Sequence, residues 1–276
     1  MRIDIVSLFP EFFDAFFSHS IIKRAIEAER LSMGVTNPRD FSHNKHGQVD
    51  DTPYGGGAGM LMMAPPIFEA VESVIAQYDS ETNSAYSTDE ICDEMSLIGN
   101  PSESIRRRVI FMGPTGQPFT QEKARELATY DQLVLICGHY EGVDYRVEEH
   151  LVDEIISIGD YVLTGGELPA MVVADAVARM IPGVLGAASG AQEDSFYEPL
   201  LECPQYTKPP EFRGWGVPDV LRSGHHKNIA TWRQKEALKR TRLLRPDLLE
   251  RPLTKEEIKL LKEIIAEESE RDTGEV

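Results

Sequence analysis

The stretch QLVLICGHYEG, residues 132–142, decides the fold. Leu133 to Cys137 are all apolar, as in a strand that is buried on both faces, and the chain then enters a glycine-bearing loop. Strands are also predicted at 3–8, 108–112 and 154–158, and amphipathic helical stretches at 65–77 and 120–129 lie between them. This alternation is typical of βαβ units, so the sequence predicts an α/β fold with a mostly parallel sheet.

Three of the predicted strands run directly into loops that contain glycine: GPTGQ at 113–117, CGHYEG at 137–142 and IGDYVLTGGE at 158–167. The carboxyl ends of parallel strands lie at one edge of a sheet, where ligands bind. Glycine lets the backbone approach a ligand closely, and exposed amides and carbonyls can read the edge of an adenine. The same glycines would also suit simple tight turns, but three such loops in succession favour a nucleotide-like pocket.

The phosphate-binding motifs are missing from these loops. The sequence contains neither GxGxxG nor GxxxxGK[ST], which argues against a pyrophosphate or triphosphate cradle. A cofactor without phosphates, such as S-adenosylmethionine, suits the loops better. The run PYGGGAGM at 53–60 lacks a Lys-Ser or Lys-Thr pair and a convincing strand before it, so we interpret it as a flexible flap.

Composition gives the cellular setting. The three cysteines, Cys92, Cys137 and Cys203, have neither an even number nor CxxC spacing, which argues against a disulfide framework and a cysteine zinc site. The N-terminus, MRIDIVSLFPEFF, is interpreted as a strand instead of an export signal. We find no apolar run of membrane-spanning length, so the sequence predicts a cytoplasmic protein without membrane attachment.

Charge is distributed unevenly along the chain. The net charge is −18, whereas residues 206–245 carry ten basic and three acidic side chains, a local charge of +7. A basic segment of this kind favours nucleic-acid binding, although ordinary solvated helix faces would look the same. The acidic segment 79–104 is predicted to be a surface loop without a function.

These patterns predict three parts of the chain. Residues 1–186 form the α/β domain, 187–206 form a flexible interdomain linker, and 207–276 form a small, basic α-helical domain. In the last part, helices are predicted at 225–238 and 254–268, the second with a capping box of Thr254 and Glu257.

Two charged residues stand out from their surroundings. Arg179 lies near the end of a helix of small apolar residues, predicted at 167–180 and buried against the sheet or a second subunit, where a guanidinium needs an anionic partner. Asp194 lies in the predicted linker. Taken singly, Arg179 could simply close the helix and Asp194 could be one more solvated acid.

The longest motifs resemble those of a known family. They include VDDTPYGGGAGMLMM at 49–63, CGHYEGVD at 137–144, SIGDYVLTGGELPAM at 157–171, RMIPGVLG at 179–186, EDSF at 193–196 and CPQYTKP at 203–209. On these runs the chain resembles the bacterial tRNA (guanine-N1) methyltransferases, which act on guanosine 37 beside the anticodon and belong to the SPOUT superfamily. The resemblance implies a trefoil knot in the C-terminal part of the sheet and a homodimer with its active site at the subunit interface.

The resemblance also assigns roles to particular residues. It implies that Asp194 is the general base for guanine N1 and that Arg179 stabilises charge on O6. It implies a magnesium requirement, with Glu141 as the candidate ligand, and a C-terminal domain that grips the anticodon stem. The implied contacts to S-adenosylmethionine are Pro114, Gly138, Glu141, Ile158, Gly159, Asp160, Tyr161, Val162, Leu163, Gly165 and Gly166.

Two other functions stay open on the sequence. The glycine-bearing loops alone would also suit a SPOUT methyltransferase that acts on ribosomal RNA, although EDSF and the basic C-terminal segment favour tRNA. A non-catalytic RNA-binding protein could keep the same fold.

Overall fold

The computed structural model describes residues 1–87, 105–186 and 194–274, and it divides the chain into two compact units, Met1–Ala188 and Ser189–Val276. Short 3-10 helices occur in the first unit at Pro10–Phe13 and Pro38–Phe41. Its other elements, in chain order, are β1 (Arg2–Val6), α1 (Asp14–Ser18), α2 (Ser20–Glu27), β2 (Ser32–Thr36), β3 (Asp50–Asp51), β4 (Leu61–Met62), α3 (Ala64–Ser87), β5 (Arg107–Pro118), α4 (Gln121–Leu127), β6 (Gln132–Cys137), α5 (Tyr145–His150), β7 (Glu154–Ser157) and α6 (Glu167–Ala178).

The predicted parallel sheet is confirmed. Its five strands run in the order β2-β1-β6-β5-β7, and every neighbouring pair is parallel. Residues Gln132–Cys137 therefore form the central strand, β6, and its carboxyl end lies in the middle of the edge where ligands bind in such sheets.

Side chains of β6 alternate between two apolar layers. Leu133, Leu135 and Cys137 belong to one core cluster, which also contains residues of α2, α4 and α6. Val134 and Ile136 belong to another cluster with residues of α3 and α5. Because both faces of the strand are covered, its sequence is a continuous apolar run instead of an alternating one.

The prediction of a surface loop at 79–104 is wrong at its start, because α3 continues to Ser87. Two acidic residues of this extension have partners on the sheet. Glu81 lies 2.7 Å from the Arg2 guanidinium, and Asp79 forms an ion pair with Arg107. Residues 88–104 lie outside the described part of the chain.

Other predictions need correction in detail. The helix at 120–129 is confirmed as α4, and Thr120 accepts a hydrogen bond from the Lys123 amide, as a helix cap does. The Lys123 side chain is not left in solvent, because its Nζ lies 3.0 Å from Glu154 on β7 and 2.8 Å from Glu126. The run at 53–60 does follow a short strand, since it connects β3 and β4 in an antiparallel hairpin.

The second unit contains β8 (Glu211–Phe212), β9 (Trp215–Gly216), α7 (Asp219–Arg222), α8 (His226–Leu244), a 3-10 helix at Pro246–Leu249 and α9 (Lys255–Gly274). Leu238 of α8 packs against Leu260 and Ile264 of α9. The predicted capping box is confirmed: the Thr254 amide donates to Glu257, and the Glu257 amide donates to Thr254 Oγ1. The hairpin of β8 and β9 was not predicted.

Residues of the predicted linker that the structure describes, 194–206, group with this second unit. The Leu201 amide donates to Thr241 Oγ1 on α8 at 2.9 Å, and the Cys203 side chain is buried. Across the described residues, no helix has the length and apolarity that a bilayer crossing requires.

Candidate active site

A cleft lies at the carboxyl edge of the sheet, and all three glycine-bearing loops line it. Of the residues expected to contact the cofactor, Asp160 is exposed and does not line the cleft. The others do: Pro114, Gly138, Glu141, Ile158, Gly159, Tyr161, Val162, Leu163, Gly165 and Gly166. The three loops thus meet at one edge of the sheet, as predicted from the sequence.

The first loop, 113–117, is folded tightly against β7. Strand β5 pairs with Ile156 twice, through Met112 and again through Gln117, so the loop between them bulges out of the ladder. A Cβ at Gly116 would lie 2.4 Å from the Ile155 carbonyl carbon and oxygen. Because the obstacle is backbone, this position accepts only glycine without a shift of the strand.

The second and third loops are joined through their main chains. The Gly166 amide donates to the Gly138 carbonyl at 2.8 Å, and His139 forms an isolated antiparallel bridge with Gly165. A Cβ at Gly166 would lie 2.6 Å from Cys137 Cα. The N-terminus of α6 therefore rests directly on the end of β6, with no side chain between them.

A buried polar cluster beneath this junction was missed by sequence reasoning. Glu167, the first residue of α6, is 5% exposed and accepts a hydrogen bond from Ser7 Oγ at 2.7 Å. His139 Nδ1 is buried and has no hydrogen-bond partner in the described structure, while its ring lies 4.9 Å from that of Phe9. The only signal in the sequence was an acidic residue at the start of a helix that is mostly apolar.

The hairpin of β3 and β4 borders the cleft beside Glu141. The Glu141 amide donates to the Met60 carbonyl at 3.1 Å, and the Met62 amide donates to the Gly142 carbonyl at 2.9 Å. A Cβ at Gly59 would lie 2.3 Å from Glu141 Cγ, so the Glu141 side chain lies across this glycine. Glycine at 59 suits its φ of +82°, and any larger residue there would also displace the exposed Glu141 side chain.

Apolar side chains of the third loop remain open to solvent. Tyr161, Val162 and Leu163 are 54%, 84% and 38% exposed. The turn that presents them is held from below, because the Gly159 amide donates to Ser157 Oγ and the Tyr161 amide donates to the Gly159 carbonyl. An apolar rim over a floor of backbone amides and carbonyls suits a flat, weakly charged ligand.

Cys137 ends β6 directly before Gly138 of the cleft but is not placed as a nucleophile. Its side chain is 1% exposed, and burial, together with the negative charge of Glu167, raises the pKa of its thiol well above the usual value. A thiol held protonated reacts poorly, so Cys137 serves as a packing residue.

Comparison with protein families decides the relationship. Residues 1–251 match the model of the family described as tRNA (Guanine-1)-methyltransferase TrmD. The chain belongs to the tRNA (guanine-1)-methyltransferase family. Proteins named tRNA (guanine-N(1)-)-methyltransferase are similar throughout. One from Desulforamulus reducens is 54% identical over 96% of this chain and 95% of its own length, and one from Dehalococcoides mccartyi strain CBDB1 is 51% identical over 98% and 99%.

In this member of the tRNA (guanine-1)-methyltransferase family, the candidate Arg179 lies at the C-terminal cap of α6 and is half-buried. Its spacing from Leu168, Val172 and Asp175 puts all four on one helical face. Leu168 and Val172 are 50% and 47% exposed, and Asp175 is exposed too. The arginine is therefore carried by a helix face that is partly apolar and open.

Asp194 belongs to the second unit, whereas Arg179 belongs to the first. Within its own unit, Asp194 is half-buried and lines a further cleft with residues of α8, among them Arg233 and Gln234. Cys203 lies in the same cleft. The catalytic pair that the resemblance implies therefore combines residues from two compact units.

The predicted metal site receives no support from side-chain geometry. Among residues 1–87, 105–186 and 194–274, no three His, Cys, Asp or Glu side chains are grouped as a metal site would require. Glu141 is the one carboxylate that lines the first cleft as the structure describes it, so a metal cage built by the protein is not found there.

Proposed function

We propose that this protein transfers a methyl group from S-adenosylmethionine to N1 of guanosine 37 in tRNA, next to the anticodon, and forms 1-methylguanosine. The observation that carries the proposal is the cleft of three glycine-bearing loops at the carboxyl edge of the sheet, in a chain that belongs to the tRNA (guanine-1)-methyltransferase family. The proposed site of modification and the donor follow from the family resemblance.

The residues of the cleft fit S-adenosylmethionine. Its floor consists of backbone at Gly138, Gly165 and Gly166, and a Cβ at two of these positions would meet backbone or buried polar atoms. Tyr161, Val162 and Leu163 offer apolar surface to an adenine or to the methionine chain. When bound, this cofactor supplies an electrophilic methyl group on its sulfonium sulfur.

The chain's own residues then have to prepare the guanine. N1 carries a proton at neutral pH, so Asp194 acts as the general base that accepts it, which contributes about 10²–10⁴-fold to the rate. The electrons left on the purine spread towards O6, where the Arg179 guanidinium stabilises the negative charge. Holding N1 in line with the methyl group provides much of the remaining acceleration.

We further propose that two copies form the active site together, with Asp194 of one subunit acting on a base held by the other. The open face of α6 supports this arrangement, since Leu168 and Val172 are exposed apolar residues one helical turn apart and Arg179 shares their face. Burying that face in a homodimer would bring Arg179 to the subunit interface.

The proposed knot is supported by the contacts of the three loops. The first loop lies against the backbone of Ile155, and the third lies against the backbone of Cys137 and Gly138, so segments distant in sequence are in direct main-chain contact. Such packing without intervening side chains suits a chain end that has passed through a loop.

The second unit is proposed to bind the tRNA. Some of its basic side chains are already paired with acidic residues of the same unit. Lys235 and Arg242 form ion pairs with Glu267 and Glu268 of α9, which reduces the local positive charge. The segment 206–245 still has a net charge of +7, which suits the phosphates of an anticodon stem. A tRNA substrate also favours the cytoplasmic location that the sequence predicted.

Glu141 is the proposed ligand for the magnesium that the family resemblance implies. Glu141 would contribute one carboxylate, and a Mg²⁺ ion typically keeps several waters and takes its remaining ligands from a substrate. We derive no catalytic step through a metal.

The experiment that tests the function uses the full chain, methyl-labelled S-adenosylmethionine and unmodified tRNA transcripts that differ only at position 37. We expect 1-methylguanosine at position 37 of the guanosine transcript, identified by nuclease digestion and mass spectrometry, and no transfer to the adenosine transcript. Methylation of ribosomal RNA fragments alone would support the ribosomal enzyme instead. Absence of transfer to any RNA would support the non-catalytic binding protein.

A further inference from the structure

The hairpin of β8 and β9 is a small, fully exposed structure in the second unit. Its strands pair Glu211 with Gly216 and Phe212 with Trp215, and Arg213 and Gly214 form a two-residue turn. Both turn residues have positive φ, +55° and +83°, as a tight hairpin turn of this length requires. Every residue from 205 to 216 is exposed, so the hairpin contributes nothing to the core of the unit.

The two aromatic residues of the hairpin form one open face. Phe212 and Trp215 are 56% and 71% exposed, and their ring centroids lie 6.3 Å apart at an angle of 49°. Directly opposed residues in an antiparallel pair project from the same face of the hairpin. Two large rings are thus held side by side in water, at a cost that a bound partner would remove.

Arginine occupies a strained position beside this face. Asparagine, aspartate or glycine is the usual residue at the first turn position, because positive φ is unfavourable for a residue with a long side chain. Arg213 nevertheless stands there, with its guanidinium 5.1 Å from the centre of the Phe212 ring. The turn itself does not need this side chain, so the charge of Arg213 is the property that explains arginine at this position.

We propose that Phe212, Trp215 and Arg213 form a stacking platform for an unpaired base of the RNA substrate, with Arg213 facing the adjacent phosphate. This inference rests on the proposed function for the identity of the RNA as tRNA. Aromatic side chains stack on any base, and an arginine over the ring neutralises the backbone charge.

Charge complementarity favours RNA over a protein partner. The hairpin lies in the segment 206–245 with its charge of +7, and Lys208 precedes it by three residues. Glu211 is the one acidic residue between 206 and 218. An anionic partner with flat aromatic groups would complement both the charge and the rings of this face. Single-stranded RNA is such a partner.

Intrinsic fluorescence allows a direct test, because the chain has two tryptophans, Trp215 and Trp232. In the variant Trp232→Phe, Trp215 is the only tryptophan, so excitation selective for tryptophan reports on it alone. We expect a tRNA transcript to quench its emission in a saturable manner, with the same midpoint as filter binding gives. A blunt RNA duplex of the same length should quench it much less. Should Trp232→Phe fold poorly, the difference in emission between the wild type and Trp215→Phe gives the same signal.

Binding to the substrate provides the second readout. Trp215→Ala is expected to weaken tRNA binding by about 5- to 150-fold, the range that loss of one base stack produces, whereas Trp215→Phe keeps most of the affinity. Cofactor affinity should stay within twofold in both variants. Unchanged tRNA binding in Trp215→Ala, or no quenching by tRNA, would overturn the platform.

Sedimentation separates RNA binding from self-association. A change from dimer to monomer in Trp215→Ala would mean that the face contacts a second copy of the chain, and this too would overturn the inference. None of these measurements requires methyl transfer. If the wild type fails to methylate tRNA but RNA still quenches Trp215, the proposed function fails and the platform stands.

Discussion

Ser7 Oγ donates a hydrogen bond of 2.7 Å to Glu167 Oε1, and this bond joins the end of β1 to the first turn of α6 beneath the cofactor cleft. Ser7 also accepts from the Phe9 amide at 3.0 Å, so its hydroxyl connects a buried carboxylate to the turn after β1. A side chain 160 positions away in sequence thereby fixes the start of the helix on which Arg179 ends.

Ser7→Ala is expected to lower the free energy of unfolding by about 1–3 kcal/mol, because Glu167 stays buried and loses its donor. Urea unfolding measures the loss. Cofactor affinity, measured by calorimetric titration, should fall as well, because Glu167 directly follows Gly166, which lines the cleft. Ser18→Ala, at an exposed position, is the control and should change neither quantity. Equal stability of Ser7→Ala and the wild type would contradict the role assigned to this bond.

Asp194→Asn removes the proposed base and nothing of its size. We expect kcat to fall by about 10²–10⁴-fold, while affinity for S-adenosylmethionine, whose proposed site lies in the first unit, stays near that of the wild type. Single-turnover transfer to a tRNA transcript gives the rate. Asp219→Asn, at a fully exposed acid of the same unit, is the matched control. A variant that retains most of its rate would remove Asp194 from the mechanism.

Arg179→Lys keeps the positive charge and loses the planar fork of donors. If the guanidinium stabilises charge on O6, kcat should fall by about 10²-fold with little change in the KM for tRNA. A rise in KM with constant kcat would instead assign Arg179 to ground-state binding. Circular dichroism and sedimentation of the variant test that α6 and the oligomeric state are intact.

Gly166→Ala places a methyl group 2.6 Å from Cys137 Cα and 2.9 Å from the Gly138 amide nitrogen. Because both obstacles are backbone, the third loop must move away from β6, and we expect cofactor affinity to fall at least tenfold together with a loss of thermal stability. Gly186→Ala is the control, as no described atom beyond its own chain neighbours lies within 4 Å of its Cβ position. Normal cofactor binding by Gly166→Ala would mean that the loop junction is not the floor of the cofactor site.

Glu257 makes the stability of the second unit depend on pH. Hydrogen bonding to the Arg251 guanidinium, and then to Thr254, lowers the pKa of its carboxyl from 4.5 to about 2. The folded state therefore gains stability from the ionised form that is complete above about pH 4.5 and is lost as the pH falls towards 2. Urea midpoints of Glu257→Gln should thus fall less between pH 5.5 and 3 than those of the wild type. Glu263→Gln, more exposed on the same helix, is the control; an unchanged pH dependence in Glu257→Gln would contradict the pKa shift.

Local patterns were enough to predict the sheet, because buried parallel strands such as β6 are continuous apolar runs. They were also enough for the α9 capping box, whose residues, Thr254 and Glu257, lie three positions apart. The length of α3 was not predictable in the same way. Its acidic end is paired with Arg2 and Arg107, which are distant in sequence, and no local pattern reports such partners.

In the candidate site, too, local features were predictable and contacts between distant residues were not. Glycines of the three loops pointed to the cleft, since a strand followed by glycine is visible in the sequence. The Ser7 and Glu167 pair and the position of Glu141 over Gly59 depend on contacts across 160 and 82 positions of chain, and neither has a spacing that could reveal it. The β8 and β9 hairpin was missed because its strands have only two residues each.

The main-chain floor of the cleft has a consequence for inhibitor design. A compound that binds there meets peptide groups at Gly138, Gly165 and Gly166, and these groups look alike in any protein that keeps the glycines. Selectivity for one member of the family over another has to come from the rim, where Tyr140, Tyr161 and Val162 expose their side chains. A medicinal chemist should therefore grow such a compound outward, towards the aromatic rings.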